Sequence, residues 1–273
     1  MGGFLFVNLL WGLSPVASPQ VQLERSGTAV FLWWRKDRVI VSADSRARQG
    51  PTTPPDDKDC KIEPLSTNFI FASSGVRRSN VQAIGEDGFS FNWDTHAMAQ
   101  EVFNAVRSHR VGSEPQEVAT AWSSLASKTL NSVPPRFREV VRANTRIGTT
   151  KVMFVGLTDS SAIDVYVANI TNNAIEFTSV PIRPPMDQIY ALAKGDDILK
   201  EFASQSSERS KREMREWESR ARSMTPEQKD ASLMVQLIRW TILYDTSGGV
   251  GGSPEEIDLK PHGTVRWLQK CPR

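Results

Sequence analysis

The chain has 273 residues, which is long enough to bury one sizeable core, and its composition gives no sign of a second domain. Its 33 basic and 31 acidic residues leave a formal charge of +2, and this balance argues against a nucleic-acid-binding surface. The two cysteines, Cys60 and Cys271, and the three histidines show no metal-ligand spacing, so we predict neither a metal nor a cofactor. Whether the two cysteines form a disulfide stays open.

The N-terminal segment contains an apolar run over residues 4–13, which is too short to cross a bilayer. Its length is typical of the hydrophobic part of a secretory signal peptide, with small residues at Ala17 and Ser18 as a cleavage site. No lysine or arginine precedes the run, and Pro19 lies close to the cleavage site, so a start-site artefact and a buried propeptide strand are alternatives. The signal peptide predicts export, the alternatives predict a cytoplasmic protein, and none of them predicts a stable membrane span.

The most informative stretch of the chain runs from Thr28 to Gly75. Two apolar runs separated by the charged turn 35–38 predict a β-hairpin, and the apolar run 68–75 predicts a further strand. Polar residues stand at the ends of the apolar runs or between them, namely Thr28, Asp44 and Lys61. A loop rich in proline and aspartate, 49–59, would lie at the mouth of any site that these three residues form.

The remaining elements follow from capping residues and from the period of the apolar positions. Residues 77–93 show no regular pattern, and 248–252 is a glycine-rich loop. Helices are predicted over 94–109, 113–131, 191–204, 207–222 and 225–243. Strands are predicted over 151–157, 162–169, 174–180, 257–259 and 264–268, with the last two forming a hairpin.

The chemistry open to Thr28 depends on a base, because a threonine hydroxyl is otherwise a poor nucleophile. The free α-amine of the same threonine is one known base, and it exists only if the bond after Gly27 is cleaved. Lys61 would lower the pKa of the amine and of the hydroxyl, and Asp44 would hold the lysine in its charged form. The alternative is that all three are ordinary strand-end residues with no role in catalysis.

Four segments of this stretch together resemble the start of a proteasome β-type subunit, in the N-terminal nucleophile (Ntn) hydrolase superfamily. They are Gly27-Thr28, Ala43-Asp44-Ser45-Arg46-Ala47, Lys61-Ile62 and Ala72-Ser73-Ser74-Gly75. The interval from Thr28 to Asp44 fits the family without a gap, and the interval from Asp44 to Lys61 needs one extra residue. The resemblance is specific over residues 27–75.

The resemblance assigns a role to each site residue. It implies that Thr28 is the nucleophile and, through its amine, the general base, with Asp44 and Lys61 as supporting charges. Arg48 and Gly75 would offer backbone groups to an extended substrate, and Ser73 would line the first specificity pocket. The N–H of Gly75 would hold the oxyanion of the reaction.

The same resemblance implies the fold and the activity. The fold would be α+β, a four-layer αββα sandwich with two antiparallel sheets, formed by residues 28–273 behind a signal or propeptide segment over 1–27. The activity would be that of a threonine-type amide or peptide hydrolase that exposes its own nucleophile by autoprocessing. Its partners would be a peptide or small amide substrate and further copies of the chain, in a homo-oligomer or ring.

Two family features are altered in the second half of the chain. The family has a serine before its third helix that assists the threonine amine, whereas Ala193-Lys194-Gly195-Asp196 has none. The family also has an aspartate and a serine three residues apart before a Gly-Gly turn, whereas Asp245 and Ser247 are two apart. Two functions therefore stay open: a hydrolase assisted by Asp245 and Ser247, and a non-catalytic binding or assembly protein of the same fold.

Overall fold

The protein combines helices with antiparallel sheets, in agreement with the predicted α+β class. The computed structural model describes residues 20–25, 28–49, 54–83, 89–108, 114–135, 137–138, 141, 150–173 and 176–271. The strands are β1 (Gln20–Arg25), β2 (Ala29–Arg35), β3 (Arg38–Ala43), β4 (Arg48–Gln49), β5 (Ile62–Ser66), β6 (Phe69–Ser74), β7 (Arg78–Ala83), β8 (Phe89–Asp94), β9 (Lys151–Leu157), β10 (Ile163–Asn172), β11 (Phe177–Ile182), β12 (Gln188–Ala193), β13 (Glu255–Leu259) and β14 (Arg266–Gln269). The helices are α1 (Thr95–Ser108), α2 (Glu114–Asn131), α3 (Gly195–Ser204), α4 (Glu208–Ala221) and α5 (Pro226–Tyr244).

The described strands form three antiparallel sheets. One five-stranded sheet has the order β12-β2-β3-β13-β14, and the other has the order β11-β10-β9-β6-β5. A four-stranded sheet has the order β4-β1-β7-β8. The predicted hairpin is confirmed, because β2 and β3 pair from Val30 and Ala43 down to Arg35 and Arg38 at the turn.

Alternation of side chains along the strands places apolar residues on both faces of the two five-stranded sheets. In β2, Val30 and Leu32 belong to a buried cluster that both sheets share, whereas Ala29 and Phe31 belong to a cluster shared with helices. Successive side chains of a strand point to opposite faces, so a strand that is apolar at every position can be buried on both. The sequence of β2 and β3 is therefore that of strands covered on each side.

The helices complete the two other buried clusters. Residues of α1 and α2, among them Phe103 and Trp122, pack with Phe71 of β6 and Phe154 of β9. Residues of α3 and α5 pack with the other five-stranded sheet, and Phe202 stacks on Trp240 with ring centroids 3.9 Å apart. Both five-stranded sheets thus carry helices on the face away from their shared cluster.

Two predicted assignments were wrong. Residues 77–93 are not irregular, because β7 and β8 pair with each other there and β7 also pairs with β1. The helix predicted over 191–204 begins only at Gly195, and the residues before it form β12, in which Leu192 pairs with Val30 of β2. Ala193 then has a positive φ of 54°, which ends the strand before the helix.

Other predictions are confirmed with shifted bounds. Asp94 caps α1 by accepting hydrogen bonds from the N–H groups of His96 and Ala97, and Thr225 forms a capping box at α5. The predicted C-terminal hairpin is the pair β13–β14. Residues 4–13, Gly27 and the predicted cap Ser113 lie outside the described residues. In the part of the chain that is described, no helix has the length and apolar character needed to cross a membrane.

Candidate functional site

The first part of the candidate site is the junction of β2 and β3. Thr28 immediately precedes β2, its side chain is fully buried, and its hydroxyl has no hydrogen-bond partner among the described residues. The carboxylate of Asp44, at the end of β3, accepts a hydrogen bond of 2.9 Å from the N–H of Ala29. In return the N–H of Asp44 donates to the carbonyl of Ala29 over 3.2 Å. Strand pairing therefore joins Asp44 to Ala29, the residue that follows the predicted nucleophile.

The carboxylate of Asp44 is held by backbone donors from three directions. Besides the N–H of Ala29, it accepts hydrogen bonds from the N–H of Arg46 at 3.3 Å and of Gly251 at 3.0 Å. Burial raises the pKa of Asp44 to about 7, although the charge of Lys61 and these donors act in the opposite direction. A carboxyl group with a pKa near neutrality changes its charge readily when another charge appears nearby.

Lys61 is the second supporting residue, and its ion-pair partner is not the expected one. Its fully buried ammonium group pairs with Asp59, which also pairs with Arg77. Burial by itself would raise the pKa of Asp59, but the charges of Lys61 and Arg77 outweigh it and keep that pKa below its usual value. Asp59 is therefore a charged residue of the site, and Asp44 feels Lys61 through its electrostatic field.

Asp245 and Ser247 lie just before the glycine-rich loop, which contacts Asp44 through the N–H of Gly251. One carboxylate oxygen of Asp245 accepts a hydrogen bond from the hydroxyl of Ser247 at 2.6 Å, and the other accepts the N–H groups of Gly249 and Val250. The next residue, Gly251, donates its N–H to Asp44, as described above. Asp245 and Ser247 thus fix the loop that contacts the site, and neither is bonded to the hydroxyl of Thr28.

Two glycines let this loop approach the site closely. A Cβ atom on Gly251 would lie 2.2 Å from the guanidinium carbon of Arg46. Gly252 has a φ of +72°, and a Cβ atom there would lie 2.4 Å from the hydroxyl of Ser45. At Gly251 a larger residue would displace the guanidinium of Arg46, whereas at Gly252 the positive φ and the carbonyl of Asp57, 3.0 Å away, disfavour any larger residue.

Ser73 takes part in a hydrogen-bonded chain that the sequence did not reveal. Its hydroxyl lies 2.9 Å from Nε2 of His96, and Nδ1 of His96 lies 2.6 Å from the carboxylate of Glu63. Burial lowers the pKa of His96, and the hydrogen bond with Glu63 opposes this shift. The backbone N–H of Ser73 also donates to the carbonyl of Lys61, so this chain adjoins the ion-paired cluster.

The segment that precedes Thr28 lies between two strands of the candidate site. In β1, Gln20 to Leu23 pair with β7, while Glu24 and Arg25 pair with β4, in which Arg48 lies opposite Arg25. Both pairings are antiparallel, so β1 fills the space between the edges of β4 and β7. The backbone of Arg48, predicted to hold an extended substrate, is thus occupied by the chain's own N-terminal segment.

Most of the predicted site residues come together, and several residues were missed. Thr28, Asp44, Lys61 and Ser73 are buried close to one another along β2, β3, β5 and β6, and Gly75 follows β6 with a φ of +86°. The sequence did not indicate Asp59, Glu63, Arg77 or His96. The one signal that could have indicated Asp59 is its position two residues before Lys61.

One group of side chains has the composition of a metal site. Ligand atoms of Cys60, Glu255 and Cys271 lie within 4.8 Å of one another, and the two cysteines form a disulfide. This answers the question that the sequence left open about their pairing. The group lies beside Lys61, because Glu255 accepts the backbone N–H of Lys61 at 2.5 Å.

No protein-family model matches the chain, and no curated protein matches it.

Proposed function

We propose that the protein is a threonine-type amide or peptide hydrolase with the four-layer αββα fold of the Ntn hydrolases. The proposed layers are α1 and α2, the two five-stranded sheets, and the helices α3 and α5. The shared buried cluster between the sheets and the helical cluster on each outer face support this arrangement. The four-stranded sheet that contains β1 would be an addition to it.

The observation that carries the proposed function is the environment of Thr28. Its hydroxyl is buried without a partner among the described residues, although a buried hydroxyl normally has one, and Asp44 accepts a hydrogen bond from the N–H of the next residue, Ala29. A partner for this hydroxyl would appear on cleavage after Gly27, since the new α-amine of Thr28 would lie within reach of it. The unsatisfied group is therefore consistent with a site that is completed by processing.

The proposed reaction uses the residues in a fixed order. The α-amine of processed Thr28 takes the hydroxyl proton while the oxygen attacks the substrate carbonyl, and the N–H of Gly75 stabilises the oxyanion. The proton then passes from the amine to the leaving nitrogen, which gives an ester on Thr28, and water hydrolyses that ester. Lys61 favours the hydroxyl's deprotonation by its charge, and Asp59 and Asp44 keep that charge compensated.

Processing would also change the charge of the site. The new α-ammonium group would form beside Asp44, whose pKa of about 7 would then fall because an opposite charge favours the carboxylate.

The substrate would be an extended peptide that pairs with the edges of β4 and β7, where β1 lies in the unprocessed chain.

We also propose that the protein is exported. In an oxidising compartment the Cys60–Cys271 disulfide would persist. Assembly into a homo-oligomer or ring stays a prediction of the resemblance.

A second candidate function is a non-catalytic binding or assembly protein of the same fold. Two observations favour it: the ammonium group of Lys61 is already ion-paired with Asp59, and Lys194 and Gly195 stand where the family has its assisting serine. In that case β1 would stay in place and Lys61 would be a structural residue.

Replacement of Thr28 separates the two functions. We expect Thr28→Ala to abolish both peptide turnover and cleavage after Gly27, while native protein shows by intact mass and N-terminal sequencing a chain that begins at Thr28. The control is Thr95→Ala, because Thr95 is equally buried and its hydroxyl likewise has no partner among the described residues. Full turnover by Thr28→Ala, or a native chain that still carries residues 20–27, would reject the hydrolase.

A further inference from the structure

A second site lies where the loop before β5, the start of β13 and the end of the C-terminal hairpin meet. The sulfur atoms of Cys60 and Cys271 and a carboxylate oxygen of Glu255 all lie within 4.8 Å of one another. In the structure the two sulfurs are joined as a disulfide. Reduction would leave two thiols and a carboxylate around one small volume, and these are ligand types that zinc prefers.

The carboxylate of Glu255 has an unused coordination position. One oxygen accepts hydrogen bonds from the N–H groups of Lys61 at 2.5 Å and Ile62 at 2.9 Å, which fix its orientation. The other oxygen is buried and has no hydrogen-bond partner among the described residues. A carboxylate that is buried in this position requires either a proton or a cation to compensate it.

A fourth oxygen ligand is present at a suitable distance. The carbonyl oxygen of Lys58 lies 3.7 Å from the sulfur of Cys60 and also 3.7 Å from the sulfur of Cys271. In a tetrahedral zinc site with Zn–S of about 2.3 Å and Zn–O of about 2.1 Å, sulfur and oxygen ligands are roughly 3.6 Å apart. Both sulfur-to-carbonyl distances are therefore close to those of a tetrahedral site, in which the two sulfurs would lie farther apart than in the disulfide.

We propose that the reduced protein binds one Zn²⁺ through Cys60, Cys271 and Glu255, with the carbonyl of Lys58 as the fourth ligand. A dithiol or phosphine reductant supplies the two electrons, and two protons are taken up as the disulfide becomes two thiols. Both thiol protons are released again when the thiolates bind the metal. A small-molecule disulfide can oxidise the two thiolates, taking up two electrons and two protons to become two thiols. This reforms the Cys60–Cys271 disulfide and releases Zn²⁺, so disulfide and metal are alternative states of one site.

This inference does not depend on the proposed hydrolase activity, although the two sites touch. The N–H of Lys61 is bonded to Glu255, and Cys60 lies between Asp59 and Lys61 in the chain. Either cross-link, the disulfide or the metal, would tie the C-terminal end of the chain to the segment that carries the ion pair of Lys61.

The test uses the full chain, reduced with a phosphine that is then removed without oxygen, and titrated with Co²⁺ followed by Zn²⁺. We expect a thiolate-to-cobalt charge-transfer band with one metal per chain, displaced by zinc, and no band in the oxidised chain. Glu255→Gln should weaken zinc binding about tenfold or more, since even outer-sphere partners of a metal contribute that much. Glu256→Gln is the matched control, because Glu256 is also buried in β13 but is not one of the three clustered side chains.

X-ray absorption of the zinc-loaded wild-type chain gives a readout that does not depend on any variant folding. We expect two sulfur and two oxygen neighbours. A reduced wild-type chain without the charge-transfer band, a shell with a different number of sulfur atoms, or undiminished binding by a folded Glu255→Gln chain would each overturn the proposal.

Discussion

Lys61 pairs with Asp59, the residue two positions before it, and both groups are almost completely withdrawn from solvent. Asp59 in turn pairs with Arg77, so one carboxylate compensates two cations. The sequence had suggested that Asp44 would fix the lysine, but Asp44 is instead held by backbone N–H groups of the β2–β3 junction and of the glycine-rich loop. Asp59 is therefore the residue whose loss should disturb Lys61 most.

Removal of this carboxylate should be strongly destabilising. Asp59→Asn would leave the charges of Lys61 and Arg77 buried without their ion-pair partner, a change that typically costs about 3 kcal/mol or more. The control is Asp57→Asn, because Asp57 pairs with Arg46 but is half exposed, and such pairs contribute about 0–1 kcal/mol. Chemical denaturation should therefore show a much larger loss of unfolding free energy for Asp59→Asn, and equal losses would contradict this account of the cluster.

A buried carboxyl outside the site should make the protein less stable at high pH. Burial raises the pKa of Glu256 from 4.5 to about 8, with Arg38 opposing and Asp258 adding to the shift. Because the folded state binds this proton more tightly than the unfolded state, its stabilising effect is complete below about pH 4.5 and is lost as the pH rises through about 8.

Glu256→Gln should remove the contribution of this group, whereas the contributions of Asp44 and Glu255, whose pKa values burial also raises, should remain. The free-energy difference between the variant and the wild type should shift in favour of the variant between pH 5 and pH 9, by up to about 1.4 kcal/mol for each pKa unit of the shift. Glu218→Gln, on the exposed side of α4, is the control for the loss of a carboxylate as such. Denaturation curves at several pH values provide the measurement, and parallel pH profiles for the two variants would contradict the assignment.

The pKa of His96 should depend on its hydrogen bond with Glu63. Its pKa is lowered from 6.5, chiefly by burial, and the hydrogen bond and charge of Glu63 hold it up. Glu63→Gln should therefore lower the pKa of His96 further, whereas Glu101→Gln, an exposed change on the same helix, should not. NMR titration of the imidazole resonances measures this directly. A higher pKa in Glu63→Gln would show that Glu63 does not act as described.

The parts of the molecule that the sequence predicted are those fixed by local patterns. The β2–β3 hairpin followed from two apolar runs around a charged turn, and the caps of α1 and α5 followed from Asp94 and Thr225. Thr28 and Asp44 came together because hairpin pairing alone determines which residues lie opposite at its open end.

The parts that the sequence missed depend on distant partners. Residues 78–83 are mostly polar, so their strand was not apparent, and it is stabilised by pairing with β1 and β8. Residues 188–193 form a short, mostly apolar segment, a pattern that suits either a helix or a buried strand. Pairing with β2 makes this segment a strand. The contact of His96 with Glu63 joins residues 33 positions apart and has no local signature.

The last prediction concerns the groove that β1 occupies. If processing removes residues 1–27, the edges of β4 and β7 lose their partner, and unpaired edges bind extended peptides by strand addition. A synthetic peptide with the sequence of residues 20–25 should therefore inhibit the processed chain competitively, with a raised KM and an unchanged kcat. The matched control carries proline at both Val21 and Gln22. One of two successive N–H groups faces β7 whatever the register, so this peptide loses a ladder hydrogen bond and should inhibit much less. Equal inhibition by both peptides would show that the groove does not bind its substrate as a strand.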